Sequence, residues 1–164
     1  MSEGIRAYIG LGSNLDDPRM QLDQAVEALG RIRCCQLQQV SAYYRSRPMG
    51  PQDQPDYLNA VALLLTTLSA EALLDALQAI ELQQGRVRQR HWGPRTLDLD
   101  LLLYGQQVID SDRLQVPHAG LFQRNFVLYP LQELEPELLF PGGEEIKEII
   151  HGCSNEGLER LDNQ

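Results

Sequence analysis

The stretch that most constrains the fold runs His91-Trp92-Gly93-Pro94-Arg95-Thr96-Leu97-Asp98-Leu99-Asp100-Leu101-Leu102-Leu103-Tyr104. Gly93-Pro94 makes a turn that leads straight into a strand. From Thr96 onward, Leu97, Leu99, Leu101 and Leu103 share one face of that strand, while Thr96, Asp98 and Asp100 share the other. Same-face neighbours lie roughly 7 Å apart, twice the rise per residue, so both carboxylates could ligate metal ions spaced ~4 Å apart. A half-buried strand with leucines in the core and aspartates in water fits the alternation equally well. Upstream, however, Arg86, Arg88, Arg90 and Arg95 fall within ten residues. Carboxylates that hold divalent metal, beside guanidiniums that grip phosphate as planar forks, are the parts that phosphoryl transfer needs.

Composition limits the alternatives. A chain of 164 residues, 43% hydrophobic and 23% charged, suits a single domain, 1–164, with its own core. A net charge of −9 opposes non-specific binding to nucleic acid or to an anionic membrane, yet the local arginine cluster still permits a small anion. Cys34, Cys35 and Cys153 give neither a disulfide framework nor a zinc spacing. The longest apolar run, Ala60 to Leu65, is far short of the ~20 residues that span a bilayer, and no signal-peptide pattern opens the chain. These features predict a cytoplasmic protein; a monomer is expected, although no feature of the sequence dictates it.

In chain order, Ile5 to Leu11 predicts a first strand ended by Gly12-Ser13-Asn14. Asp17 before Pro18 predicts the start of a helix carrying Leu22, Val26 and Leu29, with Gly30 as the stop. A second strand is predicted over Leu37 to Arg45. Ser46 to Asp56, with three prolines and a glycine in eleven residues, is a loop of a length that is more often functional than idle. Tyr57 to Thr66 predicts a third strand, and Ser69 a cap for a helix carrying Leu73, Leu77 and Ile80 that ends at Gly85. The arginine loop and the aspartate strand follow, then a short extended piece around Val108-Ile109. The order βαββαβ is that of an α+β, ferredoxin-like sandwich, here with a C-terminal extension. In that extension, Arg124 to Leu131 and Glu144 to Ile150 are predicted helices.

His91-x-Gly93-Pro94-Arg95-x-x-Asp98-Leu99-Asp100-Leu101-Leu102 resembles the signature of the 6-hydroxymethyl-7,8-dihydropterin pyrophosphokinases of folate biosynthesis. The likeness extends to Gly12-Ser13-Asn14, to Gly50 through Ala60, to Ile80 through Arg86, to Val116-Pro117-His118 and to Pro130-Leu131. The resemblance implies transfer of pyrophosphate from ATP to the pterin hydroxymethyl, with release of AMP. It implies Asp98 and Asp100 as ligands of two Mg²⁺ ions, and Arg86 and Arg95 as catalytic arginines. Tyr57 and Phe126 match the aromatics that sandwich the pterin, and Asn59, Ser46, Met49 and Trp92 match positions at its edge and cover. Arg88, Gln78, Leu101, Arg113, Gln115, His118 and Arg124 match contacts to ATP. Met49, Gln115 and Ala119 depart from the residue types usual in the family. Taken without the resemblance, Tyr57 and Phe126 read more readily as ordinary strand and helix core, and the arginines as solvated surface. Gly10-x-Gly12 is a strand end and not a dinucleotide fingerprint. Two other readings use the same fold. A ligand-sensing module would not need Asp98, Asp100 and Arg95 together, and an RNA-binding module would carry basic and aromatic residues on its central strands instead of aspartates.

Overall fold

The computed structural model describes residues 4–14, 17–46, 56–85 and 97–161. Its strands and helices follow the order β1 (Ile5–Ser13), α1 (Pro18–Leu29), β2 (Cys35–Val40), β3 (Tyr44–Ser46), β4 (Tyr57–Thr66), α2 (Ala70–Gly85), β5 (Asp98–Tyr104), β6 (Ile109–Asp110), β7 (Gln115–Val116), α3 (Asn125–Leu134), α4 (Ile146–His151) and β8 (Leu158–Arg160). One antiparallel sheet has the order β5-β1-β4-β3-β8, with β2 paired to the same edge of β4 as β3. Taking β2 and β3 as one interrupted strand, this is the ferredoxin-like order predicted from the βαββαβ pattern.

The helix starts obey their capping residues. The Asp17 side chain accepts from the Met20 N–H, and Ser69 Oγ accepts from the Ala72 N–H at 3.1 Å. The predicted strand Leu37 to Arg45 is broken at Ser41–Tyr43, because side chains take the place of ladder partners there. Ser41 Oγ accepts from the Val61 N–H and donates to the Ala42 carbonyl, while the Ala42 N–H is taken by Glu133.

Both faces of the sheet are covered, a second departure from a bare two-layer sandwich. Leu22, Leu29, Leu73 and Leu77 of α1 and α2 pack on Ala7, Ile9, Leu64, Leu99 and Leu101. On the opposite face Leu128 and Leu131 of α3, with Phe140 and Ile146, pack on Tyr8, Val61, Leu63, Leu102 and Leu103. Strand β5 records the change: Asp98 to Leu101 alternate in burial, and then Leu102, Leu103 and Tyr104 are all buried. The alternation predicts Leu103 on the same face as Leu101. The register between β1 and β5 slips at Tyr8/Ile9, so Tyr8 pairs with Leu103 and Ile9 with Leu101, and Leu103 turns to the α3 side.

The C-terminal extension thus covers one end of this face and leaves the other open. Helix α3 starts at Asn125 and continues through Pro130 to Leu134, beyond the predicted end. The last helix begins at Ile146 instead of Glu144. Strand β8, which the sequence pattern did not reveal, pairs with β3 at the sheet edge. Among the described residues, no helix is long and apolar enough to cross a membrane.

Candidate active site

The open end of the sheet lies where β1 carries two glycines. Gly10 pairs with Asp100 and Gly12 with Asp98, while Gly12 also pairs with Asn59 of β4 on its other side. All of these point toward α3, so the carboxylates stand beside a floor with no side chains. A Cβ on Gly12 would come within 3.1 Å of Asn59 Nδ2, so the missing side chain is what lets the Asn59 amide lie where it does. Gly10 and Gly12 therefore have a role in the site that the spacing Gly10-x-Gly12 alone did not suggest.

Above this floor is a cavity of about 240 Å³ bounded by Gly10, Gly12, Ser46, Tyr57, Asn59, Asp98, Asp100, Arg124 and Phe126. Tyr57 and Asn59 come from β4, Ser46 from β3, and Arg124 and Phe126 from the start of α3. Ser46 and Asn59 are buried polar side chains, and Ser46 Oγ donates to Asn59 Oδ1 at 2.7 Å. That bond orients the carboxamide so that its NH₂ can donate elsewhere. Burial, then the Asp98 charge, raises the Tyr57 phenol above its usual pKa. The Arg124 guanidinium lies 5.9 Å from the Phe126 ring centre, in cation–π range.

A second cavity of about 280 Å³ opens on the other side of β5. Gln78 and Leu74 of α2, Leu101 of β5, and Arg113, Gln115 and His118 of the β6–β7 region bound it. Arg113 is held by hydrogen bonds from its guanidinium to Glu71, Asp75 and Gln78 on α2. His118 Nδ1 accepts from the Gly120 N–H at 3.2 Å, so the neutral ring carries its proton on Nε2, which lies 3.8 Å from Asp100 Oδ1. Asp100 borders both cavities.

Two contacts fix the outer edge of β5. Glu81 Oε2 accepts from the Leu99 N–H at 2.7 Å, and the His118 N–H donates to the Leu102 carbonyl. The Leu99 amide lies between the two aspartates, so Glu81 steadies the backbone that carries both. Glu81 belongs to the Ile80-to-Arg86 run, whose pattern drew attention to the segment but not to this carboxylate.

The structure therefore brings Ser46, Tyr57, Asn59 and Phe126 around one cavity, and Gln78, Leu101, Arg113, Gln115 and His118 around the other. Arg124, expected with the nucleotide, borders the first cavity instead. Met49, Arg86, Arg88, Arg90, Trp92, Arg95 and Thr96 lie outside the described residues. Among the described residues no cluster of three metal-binding side chains occurs. Two carboxylates still fit Mg²⁺, which is usually held by one or two carboxylates plus substrate phosphates and water.

Fold and site together define a ferredoxin-like small-molecule enzyme with two adjoining pockets that share the carboxylate of Asp100. Residues 8–136 match the 7,8-dihydro-6-hydroxymethylpterin-pyrophosphokinase family. The chain is similar to the 2-amino-4-hydroxy-6-hydroxymethyldihydropteridine pyrophosphokinase of Pseudomonas aeruginosa, 53% identical over 156 residues, covering 95% of this chain and 96% of that one. It is similar to the Haemophilus influenzae enzyme of the same name, at 48% identity over 157 residues and 96% and 98% coverage. Among solved structures, it superposes on an HPPK-DHPS protein crystallised with substrates at a TM-score of 0.75 and 11% identity, a likeness of fold, covering 98% of this chain and 47% of that one. The chain thus spans about half the length of that solved protein. The chain belongs to the 7,8-dihydro-6-hydroxymethylpterin-pyrophosphokinase family.

Proposed function

We propose that this chain, as one domain over 1–164, transfers pyrophosphate from ATP to 6-hydroxymethyl-7,8-dihydropterin across the junction of the two cavities. The observation that carries this reading is Asp100. One carboxylate borders both the aromatic slot and the pocket lined by Arg113 and His118. The slot between Tyr57 and Phe126 suits a flat heterocycle, with Asn59 and Ser46 to meet its polar edge. The pocket beyond β5 suits the nucleotide, with His118 on its wall beside Asp100 and the Arg113 guanidinium held in place by Glu71, Asp75 and Gln78.

In that arrangement the hydroxymethyl oxygen attacks the β-phosphorus and the bond from that phosphorus to the α-bridging oxygen breaks. AMP leaves, and the hydroxyl proton is released. The work of the chain is to hold the alcohol and the triphosphate in line, which lowers the barrier by pre-positioning alone. Asp98 and Asp100 would hold two Mg²⁺ ions, which when bound offset the charge on the phosphate oxygens. Arg86, Arg88 and Arg95 would add guanidinium charge to the triphosphate, and Trp92 and Met49 would border the pterin. The net charge of −9 supports a protein that does not bind nucleic acid, and three free cysteines support a reducing compartment such as the cytoplasm, where the chain would act as a monomer.

Equilibrium binding tests the division of labour. Tyr57→Ala or Phe126→Ala is expected to weaken pterin binding on the order of tenfold to a hundredfold, as loss of one stacking face should. Affinity for a non-hydrolysable ATP analogue should stay within about twofold. Arg113→Ala should reverse the pattern. Equal losses of both ligands in every variant would contradict two separate pockets.

A further inference from the structure

Outside the two cavities, Glu133 on α3 joins several elements among the described residues. Its carboxylate accepts from the Tyr44 hydroxyl at 2.7 Å and from the Ala42 N–H at 3.0 Å, and pairs with Arg160 of β8 at 3.4 Å. A single side chain thus enters the break between β2 and β3, grips the first residue of β3 and ties in the C-terminal strand. Tyr44 is buried, which leaves its hydroxyl little access to water as an alternative partner.

Helix and strand both lead from Glu133 into the slot. Phe126 lies seven residues earlier on α3, two turns away, roughly 10 Å along the axis and on the same face. Ser46 lies two residues beyond Tyr44 on the same face of β3, and it orients Asn59. We infer that Glu133 is a positioning residue that sets the spacing between the Ser46–Asn59 edge and the Phe126 wall of the pterin slot. This rests on the assignment of that slot to the pterin.

A ring stacked between two others needs contacts of roughly 3.5–4 Å on each side, and a gap of 0.5–1 Å forfeits a quarter to a half of the contact energy. The slot is therefore sensitive to small shifts of β3 against α3. Nothing in the Glu133 contacts reaches the pocket beyond β5, so the nucleotide should not sense their loss.

Three variants test this: Glu133→Ala, Glu133→Gln and Tyr44→Phe. The last deletes one hydroxyl and keeps the ring, so it reports even if Glu133→Ala fails to fold. Measured by calorimetry against pterin substrate and a non-hydrolysable ATP analogue, Glu133→Ala should lose pterin affinity about tenfold, the lower range for an outer-layer partner of a ligand-binding group. Tyr44→Phe should lose a smaller part of it, Glu133→Gln should recover part of it, and ATP-analogue affinity should hold within about twofold. In steady state, KM for pterin should rise more than kcat falls. Unchanged pterin affinity in folded Glu133→Ala and Tyr44→Phe, or equal loss of both ligands, would overturn the inference. Phe126→Ala separates the two levels: if it too leaves pterin affinity unchanged, the slot assignment itself is wrong.

Discussion

At the scale of single residues, the site is defined as much by what is missing as by what is present. Asp98 and Asp100 were visible as an alternating pair, and the structure does set them side by side on one face. Their neighbours Gly10 and Gly12 carry no such signal, because a glycine leaves no chemical signature in a sequence. Their meaning appears only once β1 is paired with β4 and β5. Gly12→Ala would place a methyl against Asn59 Nδ2, forcing the amide to give by a few tenths of an ångström. The expected outcome is a severalfold rise in the KM for pterin, with a melting temperature within a few degrees of wild type. An unchanged KM would mean that the Asn59 amide tolerates displacement. Phe126 and Tyr57, indistinguishable in sequence from core residues, are assigned to a cavity only by the way α3 faces β4.

Elements carry the electrostatics that single residues cannot. Helix α3, strand β3 and strand β8 meet at Glu133, where burial pushes the carboxyl upward but hydrogen bonds from Tyr44 and the Ala42 N–H, with Arg160, outweigh it and hold the pKa below its usual value. Burial and the Glu133 contact push the Tyr44 phenol up to about 12. A carboxyl with a depressed folded pKa contributes stability above its unfolded value of ~4.3, and loses it as pH falls through the folded value. A phenol with a raised pKa contributes below its unfolded value of ~10 and loses it as pH rises toward 12. Denaturant midpoints should therefore show wild type more stable than Glu133→Gln near pH 7, with the difference closing below about pH 4. A constant difference from about pH 3 to 7 would show that the carboxylate charge does not matter there. The order βαββαβ and the caps at Asp17 and Ser69 were legible because each depends on local pattern. The break at Ser41–Tyr43, the bulge that turns Leu103, and β8 were not, because each depends on partners from distant parts of the chain, as with Glu133 reaching Ala42.

At the scale of the whole molecule, the C-terminal extension turns an ordinary two-layer sandwich into a site. By covering one end of the second sheet face with Leu128, Leu131 and Phe140, it leaves the other end as a walled cavity over bare glycine. The edge strand β5 then separates that cavity from the pocket lined by Arg113 and His118, with Asp100 at the boundary. The proposed chemistry rests on this division: two small molecules would be held apart by one strand and would meet at Asp100. The most direct test is ³¹P NMR of the protein mixed with Mg²⁺, ATP and 6-hydroxymethyl-7,8-dihydropterin. Equimolar AMP and pterin pyrophosphate are predicted. ADP with a pterin monophosphate, or ATP left intact by folded protein, would contradict transfer of the pyrophosphoryl group at this site.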